Sequence, residues 1–327
     1  MTKVIITVDT EADNQWERGI FTTENINYIP RFQSLCDRYS LKPTYLCTYE
    51  IVKNEKFDRI LKSYQEEGTA EIGAHLHPWT NPPFEDHPLG DKDSHPYPSE
   101  LSPEIFFRKM KALTDIIYLK TGLSPKSYRA GRWGLSVAHV SILLKLGYKV
   151  DCSITPFISW ENYIGRKKGG PNFKSAPNKP YFLGFKDVCK EGKSKLLEVP
   201  VTILFTNPLI SNKKFLLDQF VKYRKTLTYR ILDKVFKLSP QWFRPYPYMT
   251  AGNLINVYRV ALRQKLPAIE MVLHSSELMP GCSPSNQTLV SIEKLYAKLE
   301  KLFKFISKNN GQGVTLGEFA AKYSREQ

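Results

Sequence analysis

The sequence predicts an α/β protein whose parallel sheet curls into a barrel. Short apolar runs alternate with longer amphipathic ones, the pattern of parallel strands joined by helices. About seven such units occur without a G-x-G-x-x-G turn or a P-loop, which favours a barrel over an open nucleotide-binding sheet. Ionisable residues recur at the C-terminal ends of the apolar runs, the end at which parallel barrels build their active sites.

Residues 3–9 (KVIITVD) form the first expected strand. Residues 25–39 form the first helix, with Ile26, Ile29, Phe32 and Leu35 at helical spacing. A strand over 43–48, a helix over 55–66 and a strand over 70–75 follow. Residues 78–101 read as a loop insertion crowded with Pro, Asp and His. Ser102 and Pro103 then open a helix as N-cap and first helical residue, and it stops before Gly122. Next come a strand over 126–129, a helix over 136–146 closed by Gly147, and a strand over 148–153. Residues 157–195, rich in Gly, Pro, Asn and Lys, read as a second insertion or lid. A strand over 196–203 and helices near 215–236 and 254–265 come next. A strand over 269–274, a helix over 288–308 and a strand-and-helix fragment over 314–323 finish the pattern. No internal repeat or linker interrupts it, so residues 1–327 read as one domain with two insertions.

A chain of 327 residues with 42% hydrophobic and 13% aromatic content can build a large core and is not a disordered one. The net charge of +15 points to an anionic partner or, more simply, to a basic soluble surface. Five cysteines (Cys36, Cys47, Cys152, Cys189 and Cys282) without a CxxC pair fit free thiols in a reducing compartment. Acidic residues directly follow the first apolar run, and no apolar stretch reaches bilayer-spanning length. The expected location is therefore cytoplasmic, with peripheral contact at the inner membrane surface.

Asp9 and Glu11 stand at i, i+2 after the first strand, so both carboxylates point to one side. One would bind a metal and the other accept a proton from water; the alternative is capping of the next segment. His75 and His77 repeat that spacing after the third strand, within reach of one divalent ion. The alternative is one core histidine and one loop histidine. Two imidazoles and a carboxylate leave coordination positions open, as in catalytic zinc sites. Arg129 lies in Tyr128-Arg129-Ala130-Gly131-Arg132-Trp133-Gly134. It would hold Asp9 charged and aimed, or else be a surface arginine in a Gly-rich turn. His274, closing Met271-Val272-Leu273-His274, is a candidate general acid or a core residue bonded to backbone. Arg132, Trp133, Trp79 and Asp151 are candidate substrate contacts, with Arg132 suited to an anionic group and Asp151 to a site wall. The segment from Trp242 to Tyr248 is a sugar platform or barrel packing. Lys222, Arg224, Lys225, Arg230, Lys234 and Lys237 face phosphate or a membrane, or form a solvated helix face.

Six ordered segments carry a resemblance: Thr7-Val8-Asp9-Thr10-Glu11, Glu71-Ile72-Gly73-Ala74-His75-Leu76-His77, Arg129-Ala130-Gly131-Arg132, Asp151-Cys152-Ser153-Ile154-Thr155-Pro156, Leu197-Glu198-Val199-Pro200-Val201 and Leu273-His274-Ser275. Together they resemble the polysaccharide deacetylase superfamily (NodB-homology fold, carbohydrate esterase family 4), and within it the WalW-type branch. The resemblance covers nearly the whole chain. It implies a distorted (β/α)7 barrel and metal-dependent deacylation. It implies Asp9 as base, Glu11 as metal carboxylate, His75 as first histidine ligand, Arg129 as the residue that orients the base, and His274 as general acid. Thr10 stands where a second Asp is usual. Trp79 stands where the second histidine is usual, and His77 is the available substitute. The implied activity is removal of an N-acyl group, expected to be N-acetyl, from an amino sugar or sugar conjugate in polysaccharide biosynthesis. The implied cofactor is a divalent metal, with zinc the expected ion. The expected substrate is nucleotide- or lipid-linked, and no nucleic acid is expected. Two rivals stand beside this reading: a related amidase acting on another C–N bond without metal, and an inactive barrel that binds sugar.

Overall fold

Strand β1 (Lys3–Thr10) is the centre from which the sheet grows in both directions. Both its faces are covered. Val4, Ile6 and Val8 join the main apolar cluster shared with the helices, while Ile5 joins a second cluster inside the curl. This period-two split decides which residues can reach the interior. Ile5, Thr7 and Asp9 share the inner face.

The computed structural model describes residues 2–13, 22–84, 95–207 and 238–323. Beside β1 lie β2 (Pro43–Cys47), β3 (Glu71–Leu76), β4 (Ser127–Ala130), β5 (Val150–Asp151), β6 (Tyr181–Phe182) and β7 (Leu197–Glu198). A separate antiparallel pair is formed by β8 (Ile203–Leu204) and β9 (Gln241–Trp242). β10 (Ala268–His274) returns to pair with β1, and the short β11 (Gln312–Gly313) pairs with the start of β1. The strand order is β10-β1-β2-β3-β4-β5-β7-β6, parallel throughout except for β6. This is a curled, open half-barrel flanked by helices, as a distorted barrel requires. Thr202 bridges the open side to β10: its N–H donates to Glu270 O at 3.3 Å, and the Glu270 N–H donates to Thr202 Oγ1 at 2.8 Å.

The helices are α1 (Ile29–Asp37), α2 (Tyr49–Lys53), α3 (Ser63–Glu66), α4 (Pro103–Thr121), α5 (Val137–Lys145), α6 (Ala251–Arg263), α7 (Leu289–Lys308) and α8 (Leu316–Tyr323). α4 begins as expected: the Ser102 side chain accepts from the Ile105 N–H, and Gly122 closes it at φ 72°. α8 supplies Leu316, Phe319 and Ala320 to the inner cluster with Ile5, Leu46, Val150 and Leu197, plugging the end of the barrel opposite the site.

Several expected elements change shape. The helix over 25–39 is a 3-10 segment (Glu24–Tyr28) followed by α1, because Pro30 suits a new first turn and cannot continue an old one. The helix over 55–66 is a π-turn (Asp58–Lys62) running into α3, and α2 was not foreseen. The strand over 196–203 breaks between β7 and β8 around Pro200, which has no N–H for a ladder. The helix near 215–236 and its basic residues lie outside the described residues. All five cysteines are buried free thiols. No described helix is long and apolar enough to cross a membrane.

Candidate metal centre and catalytic site

The site forms where parallel register brings strand ends level. Asp9 pairs with His274 across β1 and β10, and His75 pairs with Arg129 across β3 and β4. Glu11 and His77 follow just past their strands. Chain distances of more than two hundred residues thus collapse to side-chain contact.

Glu11 Oε2 lies 2.7 Å from His77 Nε2 and 3.6 Å from His75 Nε2. One donor atom from each of Glu11, His75 and His77 falls within 4.8 Å of the others, and all three residues are buried. His75 Nδ1 sits 3.0 Å from the Arg129 carbonyl oxygen. A carbonyl only accepts, so Nδ1 carries a hydrogen and Nε2 is the ring atom turned toward Glu11. Burial draws the His77 ring down to about 4, against the opposing pull of Glu11. His77 is therefore neutral near pH 7, the form that ligates metal. Burial works to raise the Glu11 carboxyl, yet His274 and hydrogen bonds from His75 and His77 hold it well below its ordinary range. The donor chemistry, two imidazoles and one carboxylate with positions left over, fits a divalent ion such as zinc.

Arg129 lies wholly buried beside this cluster. Its Nη1 donates to Asp9 Oδ1 at 2.5 Å, its Nη2 to Glu270 Oε1 at 2.5 Å, and its Nε to Cys152 O at 3.0 Å. Thr7 Oγ1 also donates to Glu270. Burial alone would neutralise Asp9, but Arg129, His75 and His274 together hold its pKa below the usual value.

His274 completes the ring. Its Nε2 lies 3.6 Å from Asp9 Oδ2 and 3.9 Å from Glu11 Oε1. Behind it, Arg244 Nη2 donates to His274 Nδ1 at 2.8 Å and to Glu277 Oε1 at 3.1 Å. An arginine only donates, so Nδ1 accepts and the remaining ring hydrogen sits on Nε2, facing Asp9. Glu277 also accepts from the His274 N–H at 2.9 Å. Burial opposes its ionisation, but Arg244 and His274 bring the Glu277 carboxyl to about 2 from an ordinary 4.5. A carboxyl depressed on folding stabilises the fold above its unfolded value and loses that contribution as pH falls. Glu277→Gln is therefore expected to melt lower than the native protein above pH 4.5, by about 3 kcal/mol. The gap should narrow between pH 4.5 and about 2. A gap that stays constant across that window in pH-dependent melts would contradict the pairing.

These groups line a cavity of about 840 Å³. Trp79, His95 and Tyr97 form part of its wall from the first insertion, and Trp160, Tyr163, Ile164 and Gly165 from the second. Arg132, Trp133, Arg244 and Tyr246 also face it. Arg132 and Trp133 adopt left-handed φ values of 52° and 64°. Glycine at 131 is forced by crowding: a Cβ there would stand 2.4 Å from Leu76 O and 2.7 Å from His77 Nδ1. Gly131→Ala must push His77 or its strand aside. Metal affinity should fall by about 10- to 100-fold, as for loss of a supporting contact, and a metal titration of that variant checks it.

Of the expected site residues, Asp9, Glu11, His75, His77, Trp79, Arg132, Trp133 and His274 line the cavity, with Arg129 directly beneath. Asp151 does not, and its expected substrate contact is corrected. It pairs in register with Tyr128, whose side chain lies on the helix-facing side, not with inward-facing Arg129. Its carboxylate accepts from the Ser153 N–H and hydroxyl, each at 2.9 Å. Burial raises both Asp151 and its neighbour Glu198 above their ordinary carboxyl values. Glu270, Arg244 and the ion-pairing role of Glu277 escaped the sequence reading. The available signal for Glu270 was a lone carboxylate in an apolar strand, four residues before His274 and on the same face.

No protein-family model matches the chain, and no curated protein does. Solved structures do match. A presumed glycoside hydrolase/deacetylase from Parabacteroides distasonis aligns over 100% of this chain and 72% of its own, with TM-score 0.61 and 12% identity. A presumed polysaccharide deacetylase from Mycobacterium smegmatis aligns over 99% of this chain and 91% of its own, with TM-score 0.56 and 14% identity. The 4-alpha-glucanotransferase of Thermococcus litoralis aligns over 98% of this chain but 40% of its own, with TM-score 0.56 and 13% identity. At such identities the likeness is one of architecture, and the chain has the NodB-type polysaccharide deacetylase fold.

Proposed function

We propose that the protein is a metal-dependent amide hydrolase of the WalW-type branch that removes an N-acetyl group from an amino sugar. The sugar would be carried on a nucleotide or lipid at the cytoplasmic side of a membrane. The observation that carries this reading is the meeting of a Glu11–His75–His77 donor set with an Arg129-held Asp9 and a lone His274 in one cavity.

Held by Glu11, His75 and His77, a divalent ion, with zinc favoured by the donors, would supply Lewis acidity toward the acyl oxygen and toward water. The chain's own groups do the rest. Asp9, kept ionised and aimed by Arg129, takes the proton of the attacking water. Glu270 occupies the second arm of Arg129, so the guanidinium cannot swing away from its place. His274 gives a proton from Nε2 to the departing nitrogen. The donating form is the imidazolium, whose second N–H, on Nδ1, has Glu277 Oε2 3.7 Å away. Trp79, Trp133 and Trp160 shape the walls and exclude water.

The test is metal quantification on the native protein and His75→Ala, with amine release measured on several N-acetyl amino sugars. The native protein should carry one ion per chain. The variant should lose both the ion and amine release by at least about 100-fold. Undiminished amine release from a metal-free His75→Ala protein would overturn the reading.

A further inference from the structure

We propose that Arg132 makes this cavity selective for sugars that carry an anionic group, a carboxylate or a phosphate. The inference rests on the deacylation reading above and names the substrate class of that same site.

The charge inventory of the cavity wall leads there. Asp9 is answered by Arg129 and Glu277 by Arg244, while Glu11 sits within hydrogen-bond distance of His77 in the metal-donor set. Arg132 has no such answer. Its Nη1 donates to the His95 carbonyl, and its Nη2 to Tyr97 Oη at 3.3 Å and Ile164 O at 3.1 Å. The guanidinium also lies 4.1 Å from the Tyr97 ring centroid. Every one of these partners is neutral, and Arg132 makes no ion pair among the described residues. Those contacts leave the Nε–H and one Nη1–H unspent. The neighbouring carboxylate, Glu100, is already engaged. It accepts from the backbone N–H groups of Tyr97, Arg166, Lys167 and Lys168 at 2.8, 2.9, 2.7 and 3.1 Å. A held, half-buried cation with donors to spare is a receptor for a small anion.

The backbone adds an independent sign. Arg132 and Trp133 are consecutive non-glycine residues in the left-handed region, at φ 52° and 64°. Each such residue costs about 1 kcal/mol or more. Strain of this kind persists where it presents side chains to a ligand, and both side chains line the cavity. The volume of about 840 Å³ leaves room for an amino sugar with a substituent. The aromatic wall supplies neutral stacking surfaces, so Arg132 is the group that reads charge.

Tryptophan fluorescence tests this without turnover, because Trp133 and Trp160 border the cavity. The protein is titrated with glucose, glucuronate and glucose 1-phosphate at low salt. At least one anionic sugar should bind about tenfold or more tightly than glucose. Preference for glucuronate assigns a uronate-type substrate, and preference for glucose 1-phosphate assigns a phosphate-linked one. Arg132→Gln should bring the ratio close to one, and Arg132→Lys should retain part of it while preserving the charge. Equal affinities in the native protein, or a preference that survives Arg132→Gln, overturns the proposal. Anion preference without amine release leaves this inference standing and removes the deacylation reading. Amine release without anion preference does the reverse.

Discussion

Arg129→Met should destabilise the protein by about 3–5 kcal/mol and eliminate measurable amine release. Arg129 is the one guanidinium that serves Asp9 and Glu270 together, each at 2.5 Å, and it is fully buried. Methionine fills comparable space but leaves two carboxylates without their cation. Burying an uncompensated charge costs far more than breaking an exposed pair. Both carboxylates would take up protons to escape that cost, so Asp9 would no longer be a base near neutral pH. The Cys152 carbonyl would lose its donor as well. Denaturant melts give the stability change directly. A loss under about 1 kcal/mol, the scale of an exposed ion pair, would show that Arg129 does not hold the interior together.

His274→Ala should leave the fold standing while cutting amine release by about 10²–10⁴-fold. The Arg244–Glu277 pair at 3.1 Å survives this change, so no buried charge is orphaned. The loss should depend on the leaving group. An amine needs a proton as it departs, whereas the aryloxide of an activated ester needs little help. Amide hydrolysis should therefore suffer much more than aryl acetate hydrolysis. Equal losses on both substrates would assign His274 to binding or positioning, not to proton donation.

The fold was legible where period-two and helical patterns were long and uninterrupted. β1, β10 and α4 were expected nearly to their observed ends, because their apolar spacing and the Ser102 cap speak locally. The short strands were less legible. β5 and β7 have two residues each, and their pairing is set by neighbours, not by their own sequence. Of the site, residues at strand ends announced themselves because an ionisable group closing an apolar run has few structural explanations. Glu270 did not, since its meaning depends on facing Arg129 from a strand 141 residues away. Arg244 sat inside an aromatic stretch that packs equally well without function. Asp151 misled for a geometric reason: being one residue from an inward position is enough to face the other side of the sheet.

The register of β1 against β10, from Lys3–Ala268 to Asp9–His274, has a consequence for how the molecule is made. Strand β1 must wait for a strand synthesised some 260 residues later before its second edge is satisfied. Such a pairing gives the chain a high contact order, and high contact order slows folding. Until β10 emerges, β1 exposes an apolar edge ready to join any other extended segment. A nascent chain stopped before residue 268 would hold both imidazoles of the cluster yet lack Glu270 and His274. Such a fragment should aggregate and be degraded, and should not persist as a partly active species.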